Sequence, residues 1–130
     1  TYAKSIRIEA ATMVEMVRRE ILPAGQAALR ELGQTSRAKQ EISPLLSCKA
    51  EELLGTQIAN YNDMLLAGCT VLENLLREFP GGTEEQKALY SRDQLLPAMA
   101  ELRQAADALE QMCPAHLWTM PTYGELLYGV

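Results

Sequence analysis

Residues 47–79 constrain this chain more than any other stretch. Leu54, Ile58, Tyr61, Leu65, Gly68, Leu72, Leu75 and Phe79 step by alternating four and three. An apolar seam held over more than three heptads is the side of a helix that must face another helix. Glu73 and Arg77 stand four apart in the favourable order and read as an ion pair on the outside of that helix. Pro80, Gly81 and Gly82 then end it. Thr83 precedes Gln86 by three residues, the spacing of a capping box, so a new helix starts at once.

That third helix carries Leu89, Leu96, Met99, Leu102, Ala106, Leu109 and Met112, and stops at Pro114. Toward the start, Ile6, Ala10, Met13, Val17, Ile21, Ala24 and Ala28 recur at helical spacing, and Gly33 is a candidate stop. The expected helices are therefore about 2–33, 47–79 and 84–113, with a tail over 114–130. Residues 34–46 read equally as loop or as an extension of the first helix. Strand signal is negligible. The short Pro-Gly-Gly connection makes the second and third helices antiparallel neighbours. The fold expected is all-α: an up-down-up bundle of three long helices with an irregular C-terminal tail, one domain over 1–130. The rival arrangement is two helix pairs joined end to end. Leu-Pro-Ala falls inside the first helix at 22–24 and inside the third at 96–98. Each proline removes a backbone donor and crowds the carbonyl four residues back, so kinks are expected at Pro23 and Pro97.

Composition limits the chemistry. At 130 residues with 48% hydrophobic content the chain can bury a core. A net charge of −5 disfavours nucleic acid and anionic membrane as partners, and no apolar run approaches the roughly 18 residues of a membrane span. Cys48, Cys69 and Cys113 are scattered and read as reduced thiols of a cytosolic protein. Cys113 and His116 make half of a zinc motif whose other half is missing. Glu51-Glu52 and Glu84-Glu85 fall in first helical turns, where the helix dipole favours acids. Met13, Met64, Met99 and Met112 lie at or beside core spacing and read as filler. The eight glycines form no phosphate-cradling loop. No catalytic, cofactor-binding or metal-ligating residue is assigned. From its residues the chain is a non-catalytic helical module, and its start at Thr1, already patterned by Ile6, points to a piece of a longer polypeptide.

Three segments carry a more specific likeness. "YAKSIRIEAATMVEMVRREILPA" at 2–24, "RDQLLPAMAELRQAADALE" at 92–110 and "LWTMPTYGELLYGV" at 117–130 resemble, in that order, the C-terminal region of type III glutamine synthetases. The middle, 34–88, matches only as generic helix. The resemblance implies a cytoplasmic, ring-shaped homo-oligomeric parent that joins ammonia to glutamate using ATP and divalent Mg or Mn. The parent's metal carboxylates and nucleotide contacts lie upstream, so no catalytic residue carries over. The partners implied are the catalytic part of the same polypeptide and neighbouring subunits. A free-standing adaptor that binds a partner helix is the alternative. Trp118, Tyr123 and Tyr128 crowd into the tail; with Leu126 they are expected to anchor the chain end, since such rings bury large area and keep a polar atom at the rim.

Overall fold

The computed structural model describes residues 1–120. Three rods make up the described chain. The first comprises α1 (Tyr2–Met16), a wide π turn (Val17–Ile21) and α2 (Leu22–Ile42). The second is the single helix α3 (Lys49–Arg77). The third comprises α4 (Glu84–Tyr90), a second π turn (Ser91–Leu95) and α5 (Leu96–Met112), followed by a 3₁₀ turn at Ala115–Leu117. Side-chain pairs fix the topology. Arg18 meets Glu73 and Lys39 meets Glu51, so the first rod runs against the second. Tyr90 bonds the carbonyl of Leu75 while Gly68 abuts Leu102, so the third also runs against the second. The expected up-down-up bundle is the fold found.

Proline sets two of the helix ends. The residue before a proline is pushed out of the helical region. Ser43, before Pro44, is extended at φ −164°, ψ 135°, and Cys113, before Pro114, has ψ 138°. The first helix was expected to end near Gly33, and this is corrected: Gly33 stays helical and α2 continues to Ile42. A mid-helix glycine costs about 1 kcal/mol. Contacts with the start of the second rod offset that cost, because Lys39 bonds both the Glu51 carboxylate and the carbonyl of Ser47. At the other connection Gly82 takes φ +105° and Thr83 closes the expected capping box with Gln86.

Each internal proline follows a π turn. Leu22 N–H reaches back five residues to Val17, and Leu96 N–H five residues to Ser91. The carbonyls four residues before Pro23 and Pro97 belong to Arg19 and Asp93, both within these widened turns. The widening is thus the local response to the ring's crowding of that carbonyl. It also shifts the helical register. Leu95, not Leu96, is fully buried, and Leu89 lies exposed. Leu96, after the turn, still packs on the core as expected; a uniform 3.6-residue count placed Leu89, before the turn, on the core side as well, and it fails at the inserted residue.

The core lies along α3. Leu65, Cys69 and Leu72 have 0% exposure. Ala10, Val17, Ile21, Ala24 and Ala28 cover them from the first rod, and Leu95, Met99, Leu102 and Leu109 from the third. Leu54, expected in the seam, is exposed; it lines a smaller open pocket with Leu32, Met112 and Pro114 at the end of the bundle. Two glycines permit close approach. A Cβ on Gly25 would overlap the Asn62 carboxamide, and one on Gly68 would stand 2.9 Å from Leu102 Cδ1. Asn62 is buried, donates to Gln26 Oε1 at 3.1 Å and turns its own oxygen toward Gly25.

Two stability predictions follow from this packing. Leu65→Ala or Leu72→Ala should lower unfolding free energy by about 2–5 kcal/mol in chemical denaturation, whereas Leu54→Ala should lie within about 1 kcal/mol of the parent chain. Gly25→Ala should cost about 1–3 kcal/mol through overpacking. Its cost should fall in an Asn62→Ala background, because the two groups contend for one space.

Candidate functional site

Two places combine chemistry-bearing residues with accessible surface: the bundle end where the third rod finishes, and a groove between the second and third rods.

At the bundle end, α5 stops at Pro114 and the chain folds back on α2. His116 Nε2 lies 2.8 Å from Glu31 Oε1, and Leu117 and Trp118 pack on the core. Trp118 is half-buried with its Nε1 out of reach of any acceptor among the described residues, and Met120 is buried. The expectation that Trp118 anchors the chain end to this bundle is met. Those for Tyr123, Leu126 and Tyr128 lie outside the described residues. The Cys113/His116 pair does not converge on a common point: His116 turns to Glu31, while Cys113 packs against the apolar cluster. Burial pushes the Cys113 thiol up, which opposes the thiolate a metal would need. Among the described residues, no three His, Cys, Asp or Glu side chains are grouped to hold a metal ion.

Glu73, Glu51, Glu15, Glu84 and Asp93 pair with cations on separate faces. Glu73 was expected to pair with Arg77, and this is corrected. Arg18 of the first rod donates to both Glu73 oxygens, at 3.2 and 2.5 Å, while Arg77 turns to Asn74 Oδ1 at 2.9 Å. A planar guanidinium matches a carboxylate in this two-point fashion. A helix-by-helix reading could not anticipate a partner from another rod. Glu51 stands in the first turn of α3, as expected, and is buried against Lys39. Hydrogen bonding to Lys39 holds its carboxyl below the usual range, as Arg18 does for Glu73. At the other end of the bundle Tyr90 meets Phe79 edge-on at 5.4 Å, and the Arg7 guanidinium lies 4.3 Å from the Phe79 ring centre.

The groove is an open channel of about 650 Å³ between α3 and α5. Tyr61, Met64, Gly68 and Val71 line one side, and Ala98, Glu101 and Ala105 the other. Reading Met64 as core filler is therefore corrected: it is 54% exposed on the groove wall. Its position beside the buried seam, one residue off, made the two readings hard to separate by spacing. The Pro-Gly-Gly turn does not form a phosphate cradle, since the Gln86 carboxamide fills the space beside Gly82. No helix among the described residues is long and apolar enough to cross a membrane.

Depressed carboxylate pKa values stabilise the fold above the ordinary carboxylate range, and that contribution disappears as pH falls through the depressed values. Glu73→Gln should therefore lower the melting temperature at pH 7, with the difference from the parent chain shrinking steadily as pH falls below the ordinary carboxylate range. A melt series across that range checks the convergence.

No protein-family model matches the chain, and no solved structure does. Two curated proteins are similar to it nearly end to end. The chain is 28% identical over 130 residues to a glutamine synthetase of Butyrivibrio fibrisolvens, covering 99% of this chain and 19% of that protein. It is 24% identical over 135 residues to a type-3 glutamine synthetase of Dictyostelium discoideum, covering 98% of this chain and 18% of that protein. The chain thus matches a fragment of these proteins and spans about a fifth of their length.

Proposed function

We propose that this chain is the helical C-terminal segment of a cytoplasmic glutamate–ammonia ligase, and that it serves structure, assembly or regulation rather than catalysis. The observation that carries the reading is the near-complete match of the chain to about a fifth of two glutamine synthetases. In the longer polypeptide, ATP and divalent Mg or Mn would supply the chemistry, and ring-forming neighbouring subunits would be further partners.

The described residues do not fit either cofactor. Glu73, Glu51 and Glu31 are each turned toward a different cation or imidazole. The one glycine-rich turn is closed by its own capping glutamine. No step of amide formation is therefore routed through these side chains. What the geometry supports is presentation of surface. α3 and α5 hold an apolar groove open, and the end of α5 brings Trp118 back onto the bundle. That groove also suits a free-standing adaptor, the second reading.

The two readings part in an assay. The intact polypeptide encoded around residues 1–130 should form glutamine from glutamate, ammonia and ATP. Residues 1–130 alone should form none and should not bind ATP with micromolar affinity in calorimetry. An intact product without ligase activity would favour the adaptor, and micromolar ATP binding by residues 1–130 would overturn the non-catalytic assignment.

A further inference from the structure

The groove between α3 and α5 has the pattern of a second helix-packing seam. Met64, Ala67 and Val71 of its lining lie one residue before the buried seam, and the same four-three spacing runs back beyond the groove through Asn60, Gln57 and Leu53. None of these six positions is buried by the three rods; Leu53 is 58% and Val71 51% exposed. The same side of α3 is nearly free of charge. From Leu53 to Asn74, Asp63 is the only charged residue among the exposed positions, whereas the exposed positions of α1 include Lys4, Arg7, Glu9 and Glu15. Depletion of charge around the apolar group Met64, Ala67 and Val71 is a mark of interface rather than solvated surface. The groove floor is low, because Gly68, Ala98 and Ala105 present little or no side chain. Large side chains from outside can therefore enter, as in helix-in-groove recognition. Glu101 is the one charged residue of the lining, and no cation accompanies it.

We propose that this groove seats an amphipathic helix from the catalytic portion of the same polypeptide, with large apolar side chains facing Met64 and Val71 and an Arg or Lys meeting Glu101. The proposal rests on the reading of the chain as part of a glutamine synthetase. The occupant follows from two points. Relatives of which this chain spans only 18–19% have most of their length outside it to supply such a helix. A second copy docked groove to groove would bring the Glu101 of each copy into one interface with no cation in either lining, which opposes that pairing.

Photo-cross-linking in the intact polypeptide tests this. Benzoylphenylalanine replaces Met64, and in a control it replaces Arg19 on the first rod; cross-linked peptides are mapped by mass spectrometry. The expected product joins position 64 to a helix outside residues 1–130 that carries Arg or Lys within one turn of the linked site. Glu101→Lys should reduce its yield on the order of fivefold, with Glu101→Gln as the milder variant if the reversal prevents folding. The Arg19 position should not give that product. A link to α3 of a second copy, a link to residues 121–130, or no link at position 64 would overturn the proposal. Glutamine formation by the same preparation separates the two levels. An active polypeptide without the expected cross-link sinks the groove alone, and an inactive one sinks the reading beneath it.

Discussion

Burial of one helix by two others is the constraint on which this structure depends. α3 gives adjacent strips of its surface to the first rod and to α5, so Leu65, Cys69 and Leu72 keep no contact with water. At about 25 cal/mol per Å² of apolar surface, that burial is the main term holding three polar-faced rods together. It also dictates the local compromises. Gly25 and Gly68 let backbones and large side chains close on α3. The π turns bring Val17 and Leu95 to full burial despite the prolines that follow. Asn62, buried on the same helix, bonds Gln26 and leaves its oxygen against Gly25, a contact that tolerates one registration of the first rod on the second.

Much of this was legible in the order of residues. The seam on α3, the capping box at Thr83 and the stop before Pro114 all act over a few residues, and local patterns report such forces well. The misreadings share a different cause. Gly33 looked like a stop, yet the stop is Ser43, held extended by Pro44, and the helix between them is supported by contacts to a distant rod. Leu89 was placed inward by a count that a π turn breaks. Glu73 had a good partner four residues away and a better one, Arg18, fifty-five residues away. Met64 sat one residue from the seam, and only the packing of α5 decides which of two neighbouring strips is covered. Tertiary packing overrides local preference in each case.

The candidate surfaces follow the same division. Cys113 and His116 invite a metal reading by spacing, but the turn at Pro114 leaves one packed against the core and the other at Glu31. The groove, by contrast, is invisible until α5 is in place, because its lining alternates between two helices. Once both are present, a charge-poor strip beside a low floor is what remains after the core is closed.

The account makes α3 the element whose burial governs the rest, and native-state hydrogen exchange tests that most directly. The slowest amides should lie between Ile58 and Leu72 and should exchange only through global unfolding, with α4 and the end of α2 near Ile42 opening earlier. If the slowest amides instead lie in α1 or α2 while the middle of α3 exchanges by a lower-energy local opening, the central helix does not hold the bundle together and the account is wrong at its root.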